Sequence, residues 1–275
     1  MRIDAHQHFW RPARGDYGWL DDAPSSIVRD VLPADLAPLL AATKMDRTIL
    51  VQAAPSEAET TFLLGLMATA PFVAGVVGWI DFEAEDAAAR VRAASERTGL
   101  VGLRPMVQDL ADDRWLARGD LDPVFDALEE TGLCFDALVR PRHLPALYER
   151  MRRHPRLRAV IDHGAKPDIA GGALTAWRSW IACIADETKA CCKLSGLVTE
   201  AAPGWDDAVL RPYVDVLVEA FGAERLMWGS DWPVLNLNGD YLAWSAAADR
   251  LLAGLSPADL ARVRGGTAAA FYGVT

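Results

Sequence analysis

Cysteine is scarce in this chain: Cys134, Cys183, Cys191 and Cys192 are the only four in 275 residues. No pair has Cys-x-x-Cys spacing, and adjacent Cys191 and Cys192 are poorly placed to bridge each other. A disulfide-stapled secreted scaffold is thereby disfavoured, and reduced, buried thiols of a cytoplasmic protein are expected. Basic charge is also short. Lys and Arg number 28 against 38 Asp and Glu, a net charge of -10. That argues against a nucleic-acid partner, because phosphate binding needs clustered Lys and Arg. It argues equally against an anionic membrane surface. No stretch approaches the roughly 18 apolar residues of a membrane helix. No basic segment followed by a long apolar run opens the chain, so no signal peptide is expected. No Gly-rich dinucleotide loop follows the first strand candidate.

What is present is a repeat of short apolar runs and amphipathic segments. The strand candidates are Arg2–Phe9, Arg47–Ala53, Val73–Ile80, Leu100–Val107, Leu133–Val139, Leu157–Asp162, Cys191–Ser195 and Arg225–Gly229. Most are continuous apolar runs, as parallel strands buried on both faces require. Helices are expected over Glu57–Ala70, Glu85–Arg97, Pro123–Thr131, His143–His154, Ala173–Glu187, Asp207–Phe221 and Gly239–Ala253. A last one opens at Ser256-Pro257 and ends near Tyr272. Asp122-Pro123 reads as a cap followed by Pro at the first helical position. Gly132 and Gly222 stand where helices should stop. Eight strand–helix pairs in a chain near the typical length of about 250 residues predict an α/β fold, a (β/α)8 TIM barrel forming one domain over residues 1–275. The connections Arg11–Pro33 and Asp109–Asp120 would then cover the C-terminal mouth, where barrel enzymes work.

Three strand ends carry chemistry. His6 and His8 are two residues apart on the first strand, so both imidazoles face the same side. Such a pair can bind a metal or polarise a carbonyl. His163, in Ile161-Asp162-His163-Gly164, would reach the same mouth from the sixth strand. Asp231, in Trp228-Gly229-Ser230-Asp231-Trp232-Pro233 after the eighth, stands where a general base is usual.

Taken in this order, His-x-His, Asp-His and Gly-Ser-Asp-Trp-Pro resemble the amidohydrolase superfamily. The likeness is to the branch of sugar lactonases (fuconolactonase and rhamnonolactonase types) and 2-pyrone-4,6-dicarboxylate lactonase. Gln52, Gly102-Leu103-Arg104, Lys193-Leu194-Ser195-Gly196 and Phe271-Tyr272-Gly273 extend it over residues 2–273. The chain departs from the branch at Pro105, at Gly164-Ala165 and at Thr267. The resemblance implies opening of a small lactone without a required metal.

Asp231 would activate water while His6, His8 and His163 polarise the carbonyl. A desolvated Asp231 is expected to be a stronger base than one in water. Zinc is the competing cofactor, held by His6, His8 and Asp231. No Lys on the fourth strand and no His on the fifth are available for the metal sites of related branches. Gln52, Arg104 and Arg140 are candidate polar contacts to substrate. Trp10, Trp79 and Trp232 are candidate stacking surfaces for a sugar. With Arg104 and Arg140 the only well-placed cations, a neutral aldonolactone, 1,4 or 1,5, fits better than a dicarboxylate. A 2-pyrone-4,6-dicarboxylate-type lactone and a zinc-dependent decarboxylation are the alternative activities. A homo-oligomer through an exposed barrel face is left open.

Overall fold

The computed structural model describes residues 1–275. Eight strands pair in parallel in the order β1 to β8: Ile3–Gln7, Arg47–Val51, Val73–Gly78, Leu100–Leu103, Cys134–Ala137, Ala159–Ile161, Cys191–Leu194 and Leu226–Trp228. They form the expected (β/α)8 barrel. All eight are shorter than their apolar runs suggested, mainly at their C-terminal ends. There the chain stays buried but leaves the ladder, so His8, Gln52, Trp79 and Arg104 lie just beyond it.

The seam between first and last strand is closed above β8. The Asp231 amide donates to the His6 carbonyl at 2.8 Å, and the His8 amide to the Trp232 carbonyl at 2.8 Å. The buried Asp4 carboxylate adds a staple. Its Oδ1 accepts from the Ser230 amide at 2.8 Å and its Oδ2 from the Tyr241 hydroxyl at 2.9 Å. Burial lifts its pKa to about 6 against the lowering effect of these bonds.

Strand β1 switches face part-way. Its register with β2 shifts between Asp4 and Gln7. Ile3 and Ala5 join a small apolar cluster with Ile49, Val51, Val77, Cys134, Val160, Cys191 and Met227. The bulge then turns His6 towards Lys193 and Asp162. A much larger cluster of 71 buried residues packs the helices around the sheet.

Several helices begin where a side-chain cap dictates. The Ser56 hydroxyl accepts from the Glu59 amide, and Asp206 and Asp240 cap their helices in the same way. Gly132 ends Asp122–Thr131 as expected. Three differences stand out. A helix over Pro33–Thr43 was not expected, because Pro33 reads as the end of the Arg11–Pro33 connection; Pro33 instead occupies the first turn, where no amide is needed. The helix starting at Asp207 resumes after a kink at Gly222 and runs to Arg225. The last helix is broken into Pro257–Ala261, a wide turn over Arg262–Gly266, and Thr267–Tyr272. No helix is long and apolar enough to cross a membrane.

Helix Pro33–Thr43 ends on Lys44, an exposed residue held in the left-handed region at φ 56°. Glycine takes this conformation without the Cβ penalty. Lys44→Gly should therefore stabilise the protein by about 0.5–1 kcal/mol after its extra unfolded-state entropy is subtracted. A rise of about 2 °C in Tm, or a higher urea midpoint at constant slope, is the expected reading.

Candidate active site

His6, His8, His163 and Asp231 converge at the mouth. His6 Nε2 lies 3.2 Å from His8 Nε2. Asp231 Oδ1 is 3.3 Å from His8 Nε2, 3.7 Å from His6 Nε2 and 3.8 Å from His163 Nε2. All four are buried. His8, His163, Asp231, Arg104, Gln108 and Lys166 line a cavity of about 260 Å³, whereas His6 lies behind it.

Backbone strain aims two of these groups. Asp231 sits at φ 60°. His163, Gly164, Ala165 and Lys166 form a left-handed turn, with φ of 56°, 57°, 63° and 51°, closed by the Lys166 amide on the His163 carbonyl at 2.9 Å. Non-glycine residues in this region cost about 1–2 kcal/mol each, and such strain concentrates at functional sites. Gly196 makes room for the turn, since a Cβ there would stand 2.6 Å from His163 Nδ1.

Hydrogen bonds fix the imidazoles' protonation pattern. His8 Nδ1 donates to the Val51 carbonyl at 2.8 Å, leaving Nε2 towards Asp231. The Ser195 hydroxyl lies 2.9 Å from His163 Nδ1 and has no other acceptor, so it donates there and leaves Nε2–H facing the cavity. The Lys193 ammonium lies 3.2 Å from His6 Nδ1 and donates to it.

Lys193 anchors a charged layer immediately behind the site. It is fully buried, bonded to Asp136 and 2.9 Å from Asp162 Oδ1. The Tyr272 hydroxyl donates to Asp136 at 2.7 Å. Arg104 reaches Asp162 at 3.2 Å and His6 Nε2 at 3.4 Å. Burial works against the Lys193 charge, but Asp136 and Asp162 outweigh it and raise the pKa. Burial also lifts Asp162, and the opposing Lys193, His6 and Arg104 hold it well below the usual carboxylate range.

The electrostatics correct one expectation. Burial does push Asp231 up, but His163, His8 and His6 together hold it below the ordinary carboxylate range. Burial lowers His163 to about 4 and His6 well below its ordinary value. At neutral pH the site therefore presents an ionised Asp231 beside neutral His6 and His163, rather than a strengthened base.

Among the expected substrate contacts, only Arg104 lines this cavity. Gln52 is buried behind it, accepting from Arg104 at 3.0 Å and donating to the Arg104 carbonyl at 3.1 Å. Trp10 is fully buried with its indole N–H on the Ile27 carbonyl, and Trp232 packs on Phe9. Both belong to the core. Arg140 is half-buried off the lining, and Trp79 faces a neighbouring cavity. Missed were Lys166, Gln108 and Trp19, which line the site, and the Lys193–Asp136–Asp162 layer. Its signal was present: a charge inside an apolar strand needs a partner.

The donor atoms fit one divalent ion. His6, His163 and Asp231 offer ligand atoms all within 4.8 Å of one another, with His8 Nε2 adjacent. A tetrahedral zinc with bonds of about 2.0–2.1 Å separates its ligands by roughly 3.4 Å, close to the 3.2–3.8 Å contacts above. The expected set of His6, His8 and Asp231 is thus changed: His163 takes the place of His8, which stands beside the group. Two cations, Lys193 and Arg104, flank His6 and oppose the charge of a metal.

A (β/α)8 barrel that gathers imidazoles after its first and sixth strands and a carboxylate after its eighth carries them at the C-terminal mouth, where enzymes of this fold work. The chain belongs to the Amidohydrolase family, which it matches over residues 3–274. It is 48% identical to an L-fucono-1,5-lactonase of Burkholderia ambifaria, over 99% of this chain and 95% of that protein. To an L-fucono-1,5-lactonase of Burkholderia multivorans it is 38% identical, covering 99% and 96%. The crystal structure of a Burkholderia multivorans amidohydrolase with bound zinc superposes with a TM-score of 0.94 at 37% identity, covering all of both chains.

Replacing Lys193 by Met would leave the buried Asp136 without a cation and Asp162 with Arg104 alone. The expected loss is about 3–5 kcal/mol by urea denaturation. Part of it should return in Lys193→Met with Asp136→Asn, because the second change removes one stranded charge.

Proposed function

We propose that this protein hydrolyses a neutral sugar lactone of the aldono-1,5-lactone type, with L-fucono-1,5-lactone the first candidate. The observation that carries the proposal is the buried His–His–His–Asp cluster at the barrel mouth, in a chain 48% identical over nearly its whole length to a protein of that activity. The lining supports a neutral substrate: Arg104 and Lys166 are balanced by Asp231 and Asp109.

Asp231 holds a water and takes its proton as the oxygen bonds to the lactone carbonyl carbon. Charge then develops on the carbonyl oxygen, where His163 Nε2–H and the Arg104 guanidinium stabilise it. The tetrahedral centre collapses by breaking the bond to the ring oxygen, which recovers the proton from Asp231. The open hydroxy acid ionises and releases one proton to solvent. Ionised Asp231 is a weak base, so the arrangement depends on positioning and oxyanion stabilisation more than on basicity. His6 and His8 position Asp231, and Gln52 holds Arg104.

A metal on His6, His163 and Asp231 would supply Lewis-acid polarisation and a more acidic bound water. The flanking Lys193 and Arg104 already provide positive charge, and we infer that turnover does not require the ion.

The test is a pH-indicator assay on a panel of 1,5- and 1,4-aldonolactones, run with and without a chelator. Turnover that survives chelation is expected; its loss would move the chemistry onto a metal. Asp231→Asn should lower kcat at least about 10³-fold with the fold intact by circular dichroism. Near-native turnover in that variant would remove Asp231 from its role.

The acid limb of kcat/KM follows His163. Its folded pKa is depressed, so it stays neutral until about pH 4. Protonation there places a positive charge beside Asp231 and weakens it as a proton acceptor. The profile should be flat from neutral pH down to about 5 and fall with an apparent pKa near 4. A limb near the ordinary imidazole value of 6.5 would contradict this assignment.

A further inference from the structure

A second cavity, about 410 Å³, adjoins the first and shares Trp19, Met106 and Asp109 with it. Three tryptophans, Trp19, Trp79 and Trp115, line it together with Phe82. Its charged lining is all of one sign: Asp16, Asp81, Glu83 and Asp109, with no Lys or Arg. Apart from Asp109, whose charge was counted in the first cavity, none of these side chains has a role in the proposed function.

Two polar atoms in this wall are left without partners. Trp115 is 4% exposed, and its indole N–H is buried with no acceptor. Asp16 binds Arg14 and Ser56 through Oδ2, while its Oδ1 is buried and bonded to nothing. Both atoms are closed off from the cavity by their own surroundings, so what a ligand meets there is the indole faces and the exposed Asp81, Glu83 and Asp109 carboxylates. Aromatic faces beside carboxylate oxygens suit a polyhydroxylated ring. Its C–H face packs on the indoles, and its hydroxyls donate to the carboxylates. An anionic group is disfavoured by four carboxylates of which only Asp16 and Glu83 are paired, with Arg14 and Arg118.

We propose that this cavity is a second, neutral sugar-binding subsite, which takes a further hexose unit attached to the lactone ring held beside His163 and Asp231. The inference rests on the lactonase reading for the attached unit; binding of a free neutral sugar does not depend on it. The first cavity holds the ring that is opened, and the shared Trp19 and Asp109 lie between the two units.

The probes are an aldobiono-1,5-lactone (a neutral disaccharide lactone) and the monosaccharide lactone of the same ring. The wild-type KM should be about 3–10-fold lower for the disaccharide lactone. Asp81 is exposed and lines this cavity but not the first, so Asp81→Ala removes a hydroxyl acceptor from this cavity alone. It should raise the disaccharide KM about 3–10-fold while leaving the monosaccharide kinetics unchanged. Trp79→Leu asks the same question by removing an indole face. Hydrolysis of the monosaccharide lactone alone, or equal KM values that neither variant moves, would overturn the subsite. If neither lactone is hydrolysed, the lactonase reading fails and the subsite is judged by tryptophan fluorescence. A saturable change on titration with the neutral disaccharide, weakened in Asp81→Ala, supports a free-sugar site. No saturable change in the wild type refutes it.

Discussion

Two backbone hydrogen bonds across the seam hold the site together. The Asp231 amide on the His6 carbonyl and the His8 amide on the Trp232 carbonyl join the last strand's extension to the first. They bring Asp231 beside imidazoles more than 220 residues away in sequence. Without them the barrel would have an edge there, and the carboxylate would not face His8. Asp4 secures the same seam from its other side through Ser230 and Tyr241. The closure that completes the fold and the contact that assembles the reaction centre are one feature.

Behind the seam the barrel interior is layered by polarity. Small apolar residues fill one end, a ring of paired charges lies above them, and the imidazole cluster lies above that. The middle layer is expensive to bury, since isolated charges in a protein interior lose several kcal/mol of hydration. It is tolerated because Lys193 meets Asp136, Asp162 and His6 at once, Tyr272 shares the Asp136 oxygen that Lys193 bonds, and Arg104 takes the other Asp162 oxygen. The return is a rigid floor that holds His6 in one protonation pattern.

Much of this was legible in the sequence. Continuous apolar runs located all eight strands, and the spacing of His6 and His8 placed both imidazoles at one end of the barrel. The strand ends were overestimated because apolar residues continue past the last ladder bond into buried turns. The bulge in β1 has no sequence signature of its own; alternation correctly paired His6 with His8 but not with the face occupied by Ile3 and Ala5. The tryptophan expectations separated by depth, which composition does not encode. Trp10 and Trp232 are core, whereas Trp79 reaches a cavity. The sign of the Asp231 shift needed distances, because burial and neighbouring imidazoles push in opposite directions.

The left-handed turn at His163–Lys166 has a consequence for how the protein can change. Three of its four residues carry side chains that their backbone disfavours, and the surrounding packing must absorb that penalty. Substitutions that let this stretch relax would raise the stability of the fold while loosening the aim of His163. Thermal robustness and activity are therefore opposed at this turn, so stabilising changes are better sought far from it.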